Sequence, residues 1–370
     1  MPPLRILLAL LALAALPASP AERWRMQYFH DADDSQLVIA DLQFPTPQRG
    51  MAVGYLLEHG RRKPAGLVTT NGGQTWTAVQ VPKPAVSAFF LNESLGWLIT
   101  EDGTVWRTTE FGRDWVALKR LRGVLRVYFR DNVHGWAVGA RKSIWETSDG
   151  GKEWRLLPAA DQPKSTRDYT VYSCIAFANP TDGLIVGWSK PPRQSLRRYS
   201  VPDWLDPERR PREWPSMILL LQTRDGGARW TVSESSIFGR VTRLRLSPDG
   251  RGLGVLEFLD AFDYPSEVVR LDLRTGKSTR AFRRRDRVVT DVALPATGPA
   301  YLATIEAAGS LARTPVPGKL KLYRSDNLSE WQEIEVDYRA VAGRAILAAP
   351  DAASVWVATD TGMILKLVSD

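Results

Sequence analysis

Apolar and polar residues alternate along most of this chain in short runs, each ended by a cluster of Gly, Asp, Asn, Pro or Ser. A period of two is the pattern of a strand with one buried face. Four such runs recur in each stretch of about 40 residues, the spacing of a repeat built from small antiparallel sheets. In the clearest copy Val124 to Arg130 alternates, Asp131-Asn132-Val133-His134-Gly135 turns, and Trp136 to Gly139 makes a second strand. Ser143 to Ser148 makes a third, Asp149-Gly150-Gly151 turns again, and Glu153 to Leu157 makes the fourth. The same parse fits Val86 to Leu118, and Leu37 to Val81 is the first complete copy.

The turn before the fourth strand is nearly invariant among four copies. It reads Thr69, Asn71, Gly73 and Trp76; Thr108, Glu110, Gly112 and Trp115; Thr147, Asp149, Gly151 and Trp154; and Thr223, Asp225, Gly227 and Trp230. The first three tryptophans are 39 residues apart and the fourth follows after 76. An acidic or amide side chain there can accept backbone N–H groups inside the turn, Gly supplies a left-handed conformation, and the Thr hydroxyl ties the turn's base. The tryptophan is then free to pack between neighbouring sheets. This is an Asp box, also called a BNR repeat, and turn chemistry alone accounts for each of its residues.

With that template the weaker copies become visible. Val241 to Ser247, Leu253 to Phe258, Glu267 to Leu273 and Ser278 to Phe282 form one, with the plain turn Arg274-Thr275-Gly276-Lys277. Val288 to Pro295, Ala300 to Glu306, Lys319 to Ser325 and Glu330 to Val336 form another, which keeps Asp326 and Trp331 but not the glycine. The last copy has only three strands, Arg344 to Ala349, Val355 to Thr359 and Met363 to Val368, and Trp24 to Phe29 is placed to supply its fourth. The expected fold is therefore all-β: a single seven-bladed β-propeller over residues 22–370, with four-stranded antiparallel blades and an N-terminal strand in the last blade.

The N-terminus changes the compartment. Arg5, the apolar run Ile6 to Leu16, and the small residues Ser19 and Ala21 read as a signal peptide over residues 1–21 cleaved after Ala21, with a retained anchor as the alternative. The expected location is periplasmic or secreted. One cysteine, Cys174, precludes an internal disulfide and is expected to sit inert in a strand. The net charge of +8 and pI near 9.6 favour anionic partners such as acidic protein faces, anionic lipid or polyanionic glycans. Nucleic acid is not expected outside the cytoplasm. The basic runs Arg61-Arg62-Lys63, Lys119-Arg120-Leu121-Arg122 and Arg283-Arg284-Arg285-Asp286-Arg287 can line a basic face or can simply be solvated charge.

Gly135-Trp-Ala-Val-Gly139, its relatives Gly96-Trp97, Gly50-Met-Ala-Val-Gly54 and Gly183-Leu-Ile-Val-Gly187, and the box hairpin after each carry a family resemblance. The chain resembles the photosystem II stability and assembly factor propellers of cyanobacteria and plastids and their bacterial relatives, most strongly from Leu37 to Val232. That resemblance implies a non-enzymatic, exported seven-bladed propeller that holds a protein client during assembly of a membrane complex. The implied partner is such a client or another anionic surface; peripheral membrane contact is left open, and the chain is expected to be a monomer.

Asp boxes also occur in sialidases and other glycoside hydrolases, so a carbohydrate-binding protein or sialidase-like hydrolase is the alternative. The Phe-Arg-Ile-Pro-like segment of such sialidases is absent. His30, His59 and His134 stand apart from any Cys or acid at metal-ligand spacing. There is no phosphate-binding loop and no Gly-x-Ser-x-Gly elbow. No catalytic residue, metal or cofactor is assigned. The candidate contact surface is instead the insertion at 189–216 inside the fourth blade, longer than any hairpin loop needs to be. Arg193, Arg197, Arg198, Arg209, Arg210 and Arg212 can pair with carboxylates or phosphates, while Tyr199, Trp204 and Trp214 are aromatic anchors. Prolines at 191, 192, 202, 207, 211 and 215 limit its freedom; a solvated, disordered loop is the other reading of this composition.

Overall fold

The structure, a computed structural model, describes residues 22–190, 215–258, 263–307, 316–336 and 340–369. Seven antiparallel sheets follow one another along the chain and form a seven-bladed propeller. From the innermost strand outward, blade 1 comprises Ser35–Gln43, Gly50–Glu58, Arg61–Thr69 and Thr77–Val79. Blade 2 comprises Ala85–Phe90, Gly96–Thr100, Thr104–Thr108 and Val116–Arg120. Blade 3 comprises Val124–Phe129, Gly135–Gly139, Ser143–Thr147 and Arg155–Leu156. Blade 4 comprises Thr170–Phe177, Gly183–Ser189, Ser216–Thr223 and Thr231–Ile237.

Blade 5 is Arg240–Leu246, Arg251–Glu257, Ser266–Asp272 and Lys277–Arg283. Blade 6 is Arg287–Ala293, Ala300–Glu306, Gly318–Ser325 and Gln332–Ile334, with Val341–Ala342 added against its third strand. Blade 7 is Ala345–Ala348, Trp356–Thr359 and Met363–Ser369, closed on its outer edge by Glu22–Phe29. Trp24 pairs with Leu367 in that closure and is buried. Two short 3-10 helices, Pro158–Asp161 and Arg167–Tyr169, lie in the connector between blades 3 and 4. No helix among the described residues is long and apolar enough to cross a membrane.

The expected strands are present, and the outermost strands of blades 3 and 6 are shorter than the alternation predicts. Blade 3 ends in Arg155–Leu156 rather than the expected Glu153 to Leu157, because the Glu153 N–H bonds back to Asp149 in the turn and Trp154 is turned inward. Blade 6 likewise ends in Gln332–Ile334 rather than Glu330 to Val336, with the Glu330 N–H held by Asn327. Short outer strands leave little unpaired backbone for another chain to extend.

The core lies between blades, as the alternating pattern requires. Met51 and Val53 of blade 1 pack on Ala88, Phe90 and Leu98 of blade 2, and Tyr301, Ala303 and Leu322 of blade 6 pack on Leu347, Val357 and Leu365 of blade 7. One aromatic motif recurs. The first glycine of each Gly-x-x-Val-Gly-like strand makes room for a phenylalanine ending the strand before it: a methyl group at Gly50, Gly135 or Gly183 would lie 2.3, 2.5 or 2.6 Å from the rings of Phe44, Phe129 and Phe177. Each ring then stacks on a tryptophan of the preceding blade, Trp356, Trp97 or Trp136, at centroid distances of 3.7, 3.5 and 5.1 Å. Each also receives its own box tryptophan edge-on, Trp76, Trp154 or Trp230, at 5.9, 5.9 and 6.2 Å. Such pairs add about 0.5–1.5 kcal/mol each beyond the area they bury.

Candidate functional site

The box turns are the commonest motif of the chain. Thr147 Oγ1 accepts the Gly151 N–H at 3.0 Å and donates to Asp149 Oδ1 at 2.8 Å; that carboxylate accepts the Lys152 and Glu153 N–H groups at 3.0 and 3.1 Å. Thr69 with Asn71, and Thr223 with Asp225, repeat the arrangement. The backbone N–H of Glu153 holds the Asp149 carboxyl below its usual range, and the N–H of Arg229 does the same for Asp225. Blade 2 departs from the pattern. Glu110 is too long to reach its turn and faces Arg113 at 3.5 Å, while Phe111 takes a left-handed φ of 54° and packs on Phe90. The boxes use their polar groups on themselves, so they are structural devices.

This gives an acid-stability prediction. A carboxyl depressed in the folded state contributes stability above its unfolded value of about 3.9, and loses it as pH falls through the folded value. Asp131 belongs with the box acids: against the raising effect of its burial, the N–H groups of His134 and Val133 hold it at about 2. The melting temperature is expected to be flat above about pH 5 and to fall between about 4 and 2. Melts across that range check it, and Asp149→Asn should reduce the slope.

All nine contact residues assigned to the insertion, Arg193, Arg197, Arg198, Tyr199, Trp204, Arg209, Arg210, Arg212 and Trp214, lie outside the described residues. Its two ends are described. Ser189 and Ser216 end the second strand and begin the third of blade 4, where Ser189 pairs with Met217. This corner is at the end of the blade opposite the box turns, because alternate turns of an antiparallel sheet lie at alternate ends. A cavity of about 450 Å³ opens beside it, lined by Lys164, Tyr169, Ser189, Met217, Glu234 and Ser236, with the Lys164 N–H donated to Glu234 at 2.8 Å.

The basic runs differ in exposure. Arg61 and Arg62 are exposed, but Arg287 is a correction to the solvated reading: it is 6 % exposed and sits among Asp286, Glu306, Glu333 and the Tyr323 hydroxyl. Leu121 is likewise buried. Two of the three histidines have local partners, His30 with Ser35 at 2.8 Å and His134 with Asp131 at 2.9 Å, while His59 stands in a turn with a left-handed φ of 49°. Among the described residues no three His, Cys, Asp or Glu side chains gather in a metal-binding group.

A cluster that the sequence did not reveal lies on the ring axis. The innermost strands of blades 1 to 6 each carry an irregularity in register, followed by Asp41, Ser87, Arg126, Cys174, Arg243 and Asp291. Asp41 accepts the Ala88 N–H of blade 2 at 3.0 Å, and Asp291 accepts the Leu347 N–H of blade 7 at 3.0 Å, so each carboxylate ties one inner edge to the next. Arg243 and Arg245 contact Asp291 at 3.3 and 3.4 Å. Burial lowers the Arg243 guanidinium to about 10, Asp291 opposing and Arg126, Arg344 and Arg245 adding to the fall. In sequence these arginines look like the outward positions of an ordinary alternating strand, which is why the pattern hides them.

Against known proteins, residues 116–192 match the family model described as Photosynthesis system II assembly factor YCF48. The structure described as YCF48 bound to D1 peptide aligns with 96 % of this chain and 97 % of its own, at 18 % identity and a TM-score of 0.61. The chain is a seven-bladed propeller that resembles the photosystem II assembly factors over residues 116–192. YCF48 from Cyanidioschyzon merolae aligns with 93 % of the chain and 98 % of its own, at 16 % identity and a TM-score of 0.56. The WD40 propeller domain of Doa1 aligns with 94 % and 97 %, at 12 % identity and a TM-score of 0.57, which is a likeness of fold. No curated protein matches the sequence. The assembly factor-like match runs from the outer strand of blade 2 into the second strand of blade 4, and so ends at the insertion.

Proposed function

We propose that this chain is exported as residues 22–370 and acts as a non-enzymatic propeller that holds a protein client, such as a subunit of a membrane complex, while that complex is assembled. The observation that carries this reading is the whole-length likeness to YCF48, one structure of which is described with a bound D1 peptide. The boxes support it, since their polar groups are spent within the turns and leave no acid and base poised together. The contact surface in this proposal is the insertion at 189–216, whose arginines and tryptophans suit an acidic, partly apolar client.

Replacing residues 190–215 by a short Gly-Ser turn tests it. The variant is expected to fold and to melt near the parent temperature, yet to lose cross-links to its client in the periplasm of the source organism. Undiminished cross-linking would remove the insertion from the interface. Turnover of a fluorogenic sialoside by the parent protein would replace the client-holding reading with the glycoside hydrolase one.

A further inference from the structure

Charge around the ring axis does not balance within the protein. Arg126, Arg243, Arg245 and Arg344 come from the innermost strands of blades 3 and 5 and the start of blade 7, against Asp41, Asp291 and Asp360. The three carboxylates are already engaged by backbone N–H groups: Asp41 by Leu42 and Ala88, Asp291 by Val292 and Leu347, Asp360 by Gly343. Arg126 makes no ion pair or hydrogen bond among the described residues. Arg344 makes no ion pair either; one end donates to the Ala40 carbonyl at 3.5 Å, and its buried Nε has no partner. Burial lowers the Arg344 guanidinium, and Arg126 nearby lowers it further, with Asp291, Asp41 and Asp360 opposing.

Elsewhere the buried cations are engaged: Arg287 is surrounded by Asp286, Glu306 and Glu333, and Lys142 donates to the carbonyls of Asp161, Pro163 and Ser165. On the axis Arg243 and Arg245 share Asp291, whereas Arg126 and Arg344 have no carboxylate partner among the described residues. Converging guanidinium groups with free N–H donors match the oxygens of phosphate, sulfate or carboxylate, which they can bind two-pronged.

We infer that the centre of the ring is an oxyanion site, with Arg126 and Arg344 as its principal donors and Arg243, tethered to Asp291, as a third. The site is independent of the client-holding reading and of the insertion. Its ligand is a small oxyanion that neutralises the inner strands where blades 3, 5 and 7 face the axis.

The test uses the mature chain in chloride buffer, titrated calorimetrically with inorganic phosphate, sulfate or citrate at matched ionic strength. Binding of one anion per chain is expected, together with a higher melting temperature than chloride gives. Saturation by phosphate or sulfate identifies a tetrahedral ligand, and saturation by citrate alone a carboxylate. Arg126→Gln should weaken binding at least tenfold, whereas Arg155→Gln, on the exposed outer strand of blade 3, should leave it unchanged. Arg126→Gln should also melt higher than the parent in chloride alone, since it relieves repulsion, so loss of binding is separable from loss of folding. The inference is overturned if none of the three anions does more than chloride, or if Arg126→Gln binds as the parent does.

Discussion

Deleting Glu22–Phe29 is expected to cost about 5–8 kcal/mol, enough to unfold most of the protein at 37 °C. The strand pairs with Met363–Ser369 along its whole length, buries Trp24 among Leu320, Leu347, Val357 and Leu367, and sets Glu22 3.0 Å from Arg324 of blade 6. Burial of a tryptophan of this kind contributes about 2–3 kcal/mol, and each ladder hydrogen bond about 1. Without it the outer edge of blade 7 is unpaired and the contact between blades 6 and 7 loses a wall. The check is the thermal or urea midpoint of the truncated protein against that of residues 22–370. An unchanged midpoint would mean that the ring does not depend on this strand. Adding a synthetic peptide of residues 22–29 should recover part of the loss.

Gly227→Val is expected to destabilise the protein by about 3–5 kcal/mol, combining backbone strain with overpacking. Gly227 has a φ of 92°, and a methyl group there would lie 2.1 Å from Trp136 of blade 3. Strain and clash can be separated with Gly276→Ala, because Gly276 also has a left-handed φ, 67°, yet has nothing within 4 Å. That variant should cost only about 1 kcal/mol. Urea denaturation of both measures the difference, and equal losses would show that the fit of box against the neighbouring tryptophan contributes nothing.

The sequence by itself determined the blade count, the order of strands and the box turns, because each rests on interactions between residues close in the chain. Thr147, Asp149 and Gly151 lie within five positions of one another, so their spacing already contains the turn they make. Alternation along Val124–Phe129 or Ala300–Glu306 likewise reports local burial. The closure by Trp24 was legible for a different reason: a repeat that lacks one strand at its end and has one to spare at its beginning has a single economical pairing.

What only the tertiary structure decided was the use of polar positions once seven blades face one another. Nothing local distinguishes Arg126 or Arg243, turned to the axis, from Arg61 or Arg62 on the surface, since both pairs occupy strands with the same polar alternation. Arg287 sits at the end of a basic run that reads as solvated, yet the acids that bury it come from Glu306 and Glu333 on later strands. Asp41 and Asp291 stand 250 positions apart and perform the same task, each accepting a backbone N–H from the next blade. These roles depend on closing the ring, which brings residues remote in sequence within a few ångströms, where a charge must find its partner or remain without one.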